Sequence, residues 1–337
     1  MTCTLPESIL FSENRHDLPG NFYKEAVMKK ISIVTNCWNE VENIPLFYQR
    51  CKAELAKHPQ YDYEFIVEDN LSTDGTRDIL KKIAAEDPKF KVILNANNFG
   101  HIRSPFNCLL NASGDAVFYL CSDLQEPPEM LTPFLEKYEA GFKVVCGVRS
   151  DTRAGKVMEF MRDCYYKLLQ KFAPDQRIIR KFTGFGLYDK CFIEALKKFK
   201  EPYPYFRGLV GEIGFNQCEV PFVQAAREHG RTKNNFFTLY DMAMTGFVNH
   251  TKLPLRLAIF SGFVIGFFSV LIAFIYLIVK LIWWNTFNLG LAPLVIGMFF
   301  LGAVQLFFIG IIGEYIGAIY TQVKNKPLVI EEERINF

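Results

Sequence analysis

The segment Phe118–Glu129, with the sequence FYLCSDLQEPPE, is the stretch from which the fold of this chain is predicted. Its first residues are apolar and aromatic, as in a buried strand, and this run ends at Asp123 and Gln125. Pro127 and Pro128 cannot continue a strand, and proline suits the first turn of a helix. Asp123 and Gln125 are therefore expected at the exposed end of a strand, where their oxygens can hold a divalent cation such as Mg²⁺ or Mn²⁺. The alternative interpretation is an ordinary polar loop between a strand and a helix.

Short strand-like runs lie on both sides of this segment and alternate with helical stretches. This order predicts an α/β fold with a mostly parallel sheet that helices cover on both faces. The runs are Ile31–Val34, Glu64–Val67, Lys91–Leu94, Ala116–Leu120 and Lys143–Cys146. Ligands of such sheets bind beyond the carboxyl ends of the strands, so the residues that follow each strand are the informative ones.

Polar or acidic residues follow each of the first four runs. Each cluster alone has a local explanation as a helix cap or a turn. Their joint occurrence at one edge of the sheet favours a binding site. The candidates are Asn39 and Glu40 after the first run, Asp69 after the second, Asn98 after the third, and Asp123 with Gln125 after the fourth.

The apolar excess of the chain is concentrated after residue 256. The 337 residues are 50% hydrophobic and include 33 Phe, yet no charged residue occurs at 257–279 or at 281–313. Each run is long enough to cross a hydrocarbon core of about 30 Å, and Trp283–Gly290 supplies interfacial aromatics and turn formers between them. Two membrane helices are therefore predicted at 254–320. Two buried helices of a soluble core are disfavoured because neither run has a polar face.

The flanking cations predict the orientation of these helices. More of them precede the first helix and follow the second than lie near the connecting loop, so both termini and the α/β domain are expected in the cytoplasm, on a multi-pass protein of the inner membrane. The cations are Lys252 and Arg256 before, Lys324, Lys326 and Arg334 after, and Lys280 near the loop. The nine cysteines contain no close Cys-x-x-Cys pair, so neither a disulfide framework nor a zinc site is predicted. The net charge of +2 argues against a nucleic-acid partner.

In combination, the strand-end motifs resemble those of the polyprenyl-phosphate glycosyltransferases. The motifs are Asn39–Glu40, Asp69–Thr76, Asn98–Gly100 and Ser122–Glu129, and the resemblance covers about residues 28–325. It implies an A-type glycosyltransferase fold, a Rossmann-like domain that binds nucleotide sugars, with a C-terminal two-helix membrane domain. It also implies inverting transfer of a sugar from a nucleoside-diphosphate sugar, with UDP as the expected nucleotide, to undecaprenyl phosphate. The product would be a lipid-linked monosaccharide for the modification of a surface polysaccharide.

The resemblance also implies roles for individual residues. The nucleotide sugar would contact Asn39, Glu40, Asp69, Asn98 and Asp123, and Asp123 with Gln125 would hold Mg or Mn on the diphosphate. Guanidinium groups match phosphate oxygens well, so cationic residues are the candidates for the acceptor phosphate. These are Arg149, Arg207, Arg227, Arg231 and Lys233. The segment Ala226–Lys233 resembles a family stretch, Ala-Arg-x-x-Gly-x-Ser-Lys. Asp123, Arg207, Arg231 and Lys233 are the residues expected to act in catalysis.

Three residues depart from the family pattern. Cys121 replaces the first carboxylate of the usual Asp-x-Asp pair, and Asn70 stands where a second Asp is common. Gly184, in a segment interpreted as a loop, replaces an acidic residue that would serve as a general base. A monoalkyl phosphate has its second pKa near neutrality, so this acceptor needs positioning more than deprotonation. Catalysis would then depend on in-line positioning and on stabilisation of the departing diphosphate by the metal.

The remaining boundaries complete the predicted organisation. Residues 1–27 form an N-terminal extension, 28–234 the cytoplasmic catalytic domain, 235–253 an amphipathic helix at the membrane surface, and 321–337 a cytoplasmic tail. The second apolar run is rich in glycine, which permits either a homo-oligomer or close packing of the two spans.

Two alternative functions are kept. One is a glycosyltransferase acting on another lipid, such as a diacylglycerol or a lipid-linked oligosaccharide. The other is a non-catalytic nucleotide-binding module anchored to the lipid bilayer. A processive polysaccharide synthase is disfavoured because the chain lacks a Gln-x-x-Arg-Trp stretch. Dehydrogenases and P-loop enzymes are excluded because neither glycine-rich phosphate loop is present.

Overall fold

One eight-stranded sheet organises the chain in the computed structural model, which describes residues 28–150, 179–225, 253–282 and 291–337. The strands are β1 Lys30–Cys37, β2 Asp62–Asp69, β3 Phe90–Asn95, β4 Ala116–Tyr119, β5 Val144–Arg149, β6 Phe182–Asp189, β7 Gln217–Phe222 and β8 Glu331–Ile335. The helices are α1 Asn43–Leu55, α2 Thr76–Glu86, α3 Gly100–Leu110, α4 Leu131–Glu139, α5 Lys190–Leu196, α6 Phe206–Ile213, α7 Leu253–Ile282 and α8 Leu291–Val323.

The strand order places the predicted strand ends side by side. It reads β7-β5-β6-β4-β1-β2-β3-β8, and β1, β2, β3 and β4 are mutually parallel. Each of the five predicted runs coincides with a strand, with Leu120 and Lys143 just outside β4 and β5, so the mostly parallel α/β sheet is confirmed. Two strands run antiparallel to their neighbours, namely β6 between β4 and β5, and β8 beside β3.

The prediction of a loop around Gly184 is wrong. The segment is the strand β6, and six of its eight residues in a row are buried. The sequence pattern does not indicate a strand here because the segment contains Gly184 and Gly186. Glycine is uncommon in strand interiors except where another backbone approaches closely. Such an approach occurs at Gly186, where a Cβ would lie 2.4 Å from the carbonyl oxygen of Val145.

Helices cover both faces of the sheet because the strand side chains alternate between two apolar layers. Ile33 faces the layer of α1, α2 and α4, whereas Val34 faces the layer of α3, α5 and α6. Phe118 packs in the first layer with Phe134 and Phe185 at ring-centroid distances of 5.9 and 5.6 Å. Full burial of such a side chain contributes about 1.5–3 kcal/mol, and these layers hold the strand ends in fixed register.

The segment 321–337, predicted as a tail, contributes a strand to the sheet. Helix α8 continues to Val323, and β8 then pairs with the edge strand β3. The amide of Asn336 donates hydrogen bonds to the carbonyl oxygens of Ala84 and Phe90 at 2.7 and 2.9 Å. The chain therefore returns from the apolar helices to the catalytic sheet.

Two long apolar helices precede β8. Helices α7 and α8 have 30 and 33 residues, which corresponds to lengths of about 45 and 50 Å. Both lengths exceed a hydrocarbon core of about 30 Å. Gly297–Val323 is, among the described residues, the segment long and apolar enough to cross a membrane, and the apolar part of α7, Leu257–Ile272, is shorter. Large side chains such as Phe263 and Leu306 are more than 70% exposed, which indicates membrane association.

Candidate active site

The polar residues at the carboxyl ends of β1, β2 and β4 lie in loops with unusual backbone geometry. Asn39, Leu71 and Leu124 have φ angles of 56°, 61° and 58°, in the left-handed region that residues other than glycine seldom adopt. Such conformations cost of order 1–3 kcal/mol each and cluster at functional sites. Strands β2 and β4 flank β1, two strand spacings or roughly 10 Å apart, so the loops border one crevice.

Asn39 connects the loops after β1 and β2. Its backbone N–H donates to the Ser72 hydroxyl at 2.8 Å, and its side-chain oxygen accepts from the Thr73 N–H at 2.8 Å. The Glu40 N–H donates to the Thr76 hydroxyl at 3.0 Å. Asn39 therefore does not cap α1, which begins at Asn43 without a side-chain cap.

Asp69 ends β2 as a fully buried carboxylate. Its Oδ2 accepts hydrogen bonds from the Ser72 N–H at 3.0 Å and from Arg77 Nε at 2.7 Å. Arg77 also donates to the Asn95 carbonyl and forms an ion pair with Glu332 at 2.8 Å. Asp69 therefore stabilises the loop after β2 through these hydrogen bonds. Its contact with a nucleoside stays a prediction.

Asn98 lies in the loop after β3 and is bound to the loop after β2. The Asn70 side-chain N–H donates to Asn98 Oδ1 at 2.9 Å, and Asn70 Oδ1 accepts from the Phe99 N–H at 2.8 Å. Asn98 Oδ1 also accepts from the Gly100 N–H at 2.9 Å, which orders the start of α3. An aspartate at position 70 could not donate to Asn98, so the amide accounts for the departure from the family pattern.

The loop after β4 carries Asp123, which is 8% exposed. Asp123 Oδ1 accepts from the Gln125 N–H at 3.2 Å, and the Ser122 hydroxyl donates to the Asn36 carbonyl at 3.0 Å. Gln125 Oε1 accepts from the Gln224 amide at 3.0 Å, so this loop also contacts the segment after β7. The structure therefore brings Asp123 to the same sheet edge as Asp69.

The donor set at this loop fits a cation that is shared with a diphosphate. No group of three His, Cys, Asp or Glu side chains that could hold a metal converges among the described residues. Mg²⁺ in nucleotide sites uses one or two carboxylates and takes its other ligands from phosphate and water. Asp123 supplies the carboxylate, and the amide oxygen of Gln125 has a second lone pair beyond its bond to Gln224.

Glu126 is a buried carboxylate whose place in the site the sequence did not disclose. It accepts hydrogen bonds from the Cys121 N–H at 2.9 Å and from the Thr183 hydroxyl at 2.6 Å. Burial raises the pKa of Glu126, while Arg149 acts in the opposite direction. Its contact with Thr183 depends on the pairing of β6 with β4, and no local sequence pattern indicates that pairing.

The candidate acceptor residues divide between described and undescribed parts of the chain. Arg149 ends β5 and lies within electrostatic range of Glu126, whereas Arg207 lies in the first turn of α6. The three remaining candidates lie outside the described residues, as does the predicted amphipathic helix. They are Arg227, Arg231 and Lys233.

Gly184 occupies the place of the missing acid, and its backbone suits glycine. Its φ is +105°, which an L-residue rarely adopts. A Cβ there would lie 3.4 Å from the Phe206 ring and 3.6 Å from the Tyr119 ring. The position is therefore part of an apolar wall in this chain.

Several known proteins are similar to this chain. The chain matches the model of glycosyl transferase family 2 over residues 32–198. The SfII prophage-derived bactoprenol glucosyl transferase of Shigella flexneri is 33% identical over 302 residues, covering 89% of this chain and 97% of that protein. The prophage bactoprenol glucosyl transferase homolog of Escherichia coli strain K12 is 31% identical over 305 residues, covering 89% and 98%. Glucosyl-3-phosphoglycerate synthase from Mycobacterium tuberculosis, solved with Mn²⁺, UDP and phosphoglyceric acid, has a TM-score of 0.44 at 20% identity, covering 64% and 75%.

The mixed sheet and its strand-end crevice define an A-type glycosyltransferase. The relatives match it along nearly their whole length. The chain belongs to the polyprenyl-phosphate glycosyltransferases of glycosyl transferase family 2.

Proposed function

We propose that this protein transfers a hexose-type sugar, with inversion, from a nucleoside-diphosphate sugar to undecaprenyl phosphate at the cytoplasmic face of the membrane. The observation that carries the proposal is the placement of Asp123 at the same sheet edge as the loops of Asn39, Asp69 and Asn98. The bactoprenol glucosyl transferases named above support the acceptor. UDP is the expected nucleotide from the family resemblance.

The nucleotide would lie across the loops after β1, β2 and β4. Their bonded network, in which Asn39 holds Ser72 and Thr73, gives this crevice a fixed shape before the ligand binds. Asp123 and Gln125 would hold a Mg²⁺ or Mn²⁺ ion, which when bound neutralises charge on the diphosphate. Cys121 supplies no carboxylate, so Asp123 is the acid on which this part of the site depends.

The reaction needs no proton transfer at the acceptor. An oxygen of the phosphate dianion forms the new bond to the anomeric carbon, and the bond from that carbon to the diphosphate breaks with departure of the nucleoside diphosphate. Because the acceptor is already an anion, Gly184 is compatible with this chemistry. Arg207 and Arg149, with Arg227, Arg231 and Lys233, would position the phosphate.

The membrane arrangement belongs to the same proposal. Both apolar helices would span the bilayer, with the catalytic sheet and both termini on the cytoplasmic side, as the flanking cations predict. This places the sheet on the side where nucleotide sugars are made, and it lets a membrane lipid reach the site without leaving the bilayer entirely.

The test is turnover by the full-length protein in membrane vesicles. Labelled nucleotide sugars are supplied with undecaprenyl phosphate and Mg²⁺ or Mn²⁺, and labelled lipid is extracted. Asp123→Asn should lower kcat roughly a hundredfold or more, because it removes the charge that faces the diphosphate. Glu129→Gln is the matched control from the same segment, since it removes a surface ion pair with Arg50 and should change kcat by less than about twofold.

The outcomes separate the alternative functions. Tight nucleotide-sugar binding without product over a broad donor panel would support the non-catalytic module. Product with diacylglycerol but not with undecaprenyl phosphate would support a different lipid acceptor. Full activity in Asp123→Asn would remove the assignment of the crevice.

A further inference from the structure

A pocket lies beside the crevice, between the start of α3, the end of β4 and the start of α6. It has a cavity volume of about 100 Å³ and is partly open to solvent. Its walls include Ile102, Phe106 and Leu109 of α3 with Tyr119 and Phe206, and Arg207 contributes the guanidinium. His101, Thr183 and Tyr205 add polar groups to a lining that is otherwise apolar. A mainly apolar pocket beside a guanidinium group is suited to a small amphiphile with an anionic head.

The pocket adjoins the place where the sugar is transferred. Tyr119 is the last residue of β4, four positions before Asp123. Thr183 also lines the pocket, and its hydroxyl donates to Glu126 of the Asp123 loop. Gly184 lies next to two residues of the wall, because a Cβ there would contact the Phe206 and Tyr119 rings at 3.4 and 3.6 Å. A group that occupies the pocket therefore lies next to the reacting atoms.

The lining selects hydrocarbon over sugar. A hexose carries hydroxyl groups on all sides, and burying one without a hydrogen-bond partner costs about 1–3 kcal/mol. The hydroxyl of Thr183 is already bonded to Glu126, and Ile102, Phe106 and Leu109 offer no partner, so the remaining polar side chains of the lining are His101, Tyr205 and Arg207, too few to surround a hexose. An alkenyl group attached to a phosphate meets both requirements, with the chain inside and the phosphate at Arg207.

We propose that this pocket binds the isoprene unit next to the phosphate of the acceptor lipid, while Arg207 contacts the phosphate itself. The inference depends on the proposed function, because it requires a polyprenyl phosphate as acceptor. It adds a recognition element for the lipid on the catalytic domain, apart from the membrane helices.

The experiment measures KM for both substrates with full-length protein in detergent. Farnesyl phosphate serves as the acceptor, and the donor is the nucleotide sugar that the wild-type protein uses best. Ile102→Trp fills the pocket from the side of α3 and should raise KM for farnesyl phosphate roughly tenfold or more. KM for the nucleotide sugar should change by less than about twofold. Lys82→Trp, which places the same ring on the exposed side of α2, should change neither value.

Ile102→Ala guards against a folding defect, because it removes atoms and adds none. It should raise KM for farnesyl phosphate a few-fold with an unchanged thermal unfolding midpoint. A rise in KM for the nucleotide sugar alone would assign the pocket to the sugar and overturn the proposal, as would unchanged KM values in both variants. If the wild-type protein glycosylates no polyprenyl phosphate, the proposed function itself fails, and this inference fails with it.

Discussion

Glu126 lies between Cys121 and Gly184, two of the three positions at which the family pattern has an acid and this chain has none. Its carboxylate bonds the Cys121 N–H on one side and the Thr183 hydroxyl, next to Gly184, on the other. It joins the Asp123 loop to β6 and is 3% exposed. Its geometry makes it a positioning residue for that loop.

Glu126→Ala should lower kcat by about tenfold to a hundredfold, because a buried N–H would lose its partner and the loop would lose its link to β6. Glu126→Gln should retain most activity, since the amide oxygen can still accept from Cys121 and the Thr183 hydroxyl can accept from the amide. The measurement is kcat and KM for both substrates, with Glu136→Ala on the exposed side of α4 as the control.

The comparison of the two variants tests the role directly. If Glu126→Gln loses as much activity as Glu126→Ala, the charge itself is required and positioning is the wrong description. Because the pKa of Glu126 is raised, the acid limb of the pH profile of kcat in the wild-type protein would then lie at higher pH than for an ordinary glutamate.

At the residue scale, the sequence predicted which polar residues lie at this edge of the sheet better than it predicted their contacts. The strand-end rule located Asn39, Asn98 and Asp123, because polar residues after a strand are a local pattern. It did not reveal that Asp69 is bonded to Arg77, since that contact depends on the backbone of the loop between them. Glu126 was visible in the motif, but its partner Thr183 is 57 residues away.

At the scale of elements, β8 connects the end of the apolar helices to the side of the crevice formed by the loop after β2. Its Glu332 forms an ion pair with Arg77, which in turn holds the Asp69 carboxylate. The neighbouring Glu333 forms an ion pair of similar length with Lys81, at 2.7 Å, and Lys81 does not contact Asp69. The strand thus offers two adjacent, comparable ion pairs, of which one is linked to the site.

Glu332→Gln should raise KM for the nucleotide sugar about twofold to fivefold, because Arg77 loses one of the partners that fix its contact with Asp69. Glu333→Gln should leave KM unchanged while costing similar stability. Both KM values and thermal unfolding midpoints are measured on the full-length protein. Equal effects of the two variants on KM would mean that β8 acts only through stability.

Neither β6 nor β8 could be identified from local patterns. The sequence of β8, EEERI, has three successive acids and reads as a charged tail. It forms a strand because β3 presents an unpaired edge and α2 presents Arg77 and Lys81 to its acids. The two glycines of β6 are typical of a loop in sequence, yet the segment forms a strand that pairs with β4 and β5 on its two sides.

At the scale of the whole molecule, two buried glutamates on β2 respond to pH in opposite directions. Glu68 accepts from the Asn95 and Asn107 amides at 2.7 and 2.9 Å, and burial raises its pKa to about 7. Burial also raises the pKa of Glu64, but Lys30 and Lys91 outweigh that effect and lower it to about 2. The lysine contacts are 2.7 and 2.8 Å long.

Glu68→Gln should raise the thermal unfolding midpoint at pH 8 and have little effect at pH 5. Folded Glu68 keeps its proton up to about pH 7, whereas the unfolded residue loses it near pH 4.5, so stability falls as pH rises between these values. A neutral amide avoids this loss and can donate to Asn95 Oδ1, which is buried and has no hydrogen-bond partner among the described residues. The measurement is the unfolding midpoint of detergent-solubilised protein from pH 5 to 8.

Glu64→Gln is the control of opposite sign. Its stabilising contribution is present above about pH 4.5 and is lost as pH falls toward about 2, so this variant should be less stable than wild type at both pH 5 and pH 8. A Glu68→Gln variant that is destabilised at pH 8 would show that folded Glu68 is ionised and stabilising.

The order of segments along the polypeptide has a consequence for biosynthesis. Because β8 follows α7 and α8, the ribosome makes the eighth strand only after both apolar helices, although β3 emerged more than 230 residues earlier. Until then the nascent enzyme displays an open strand edge of the kind that recruits other chains. A translation product that stalls after α8 would therefore carry all the loops of the crevice and still be a substrate for chaperones and proteases.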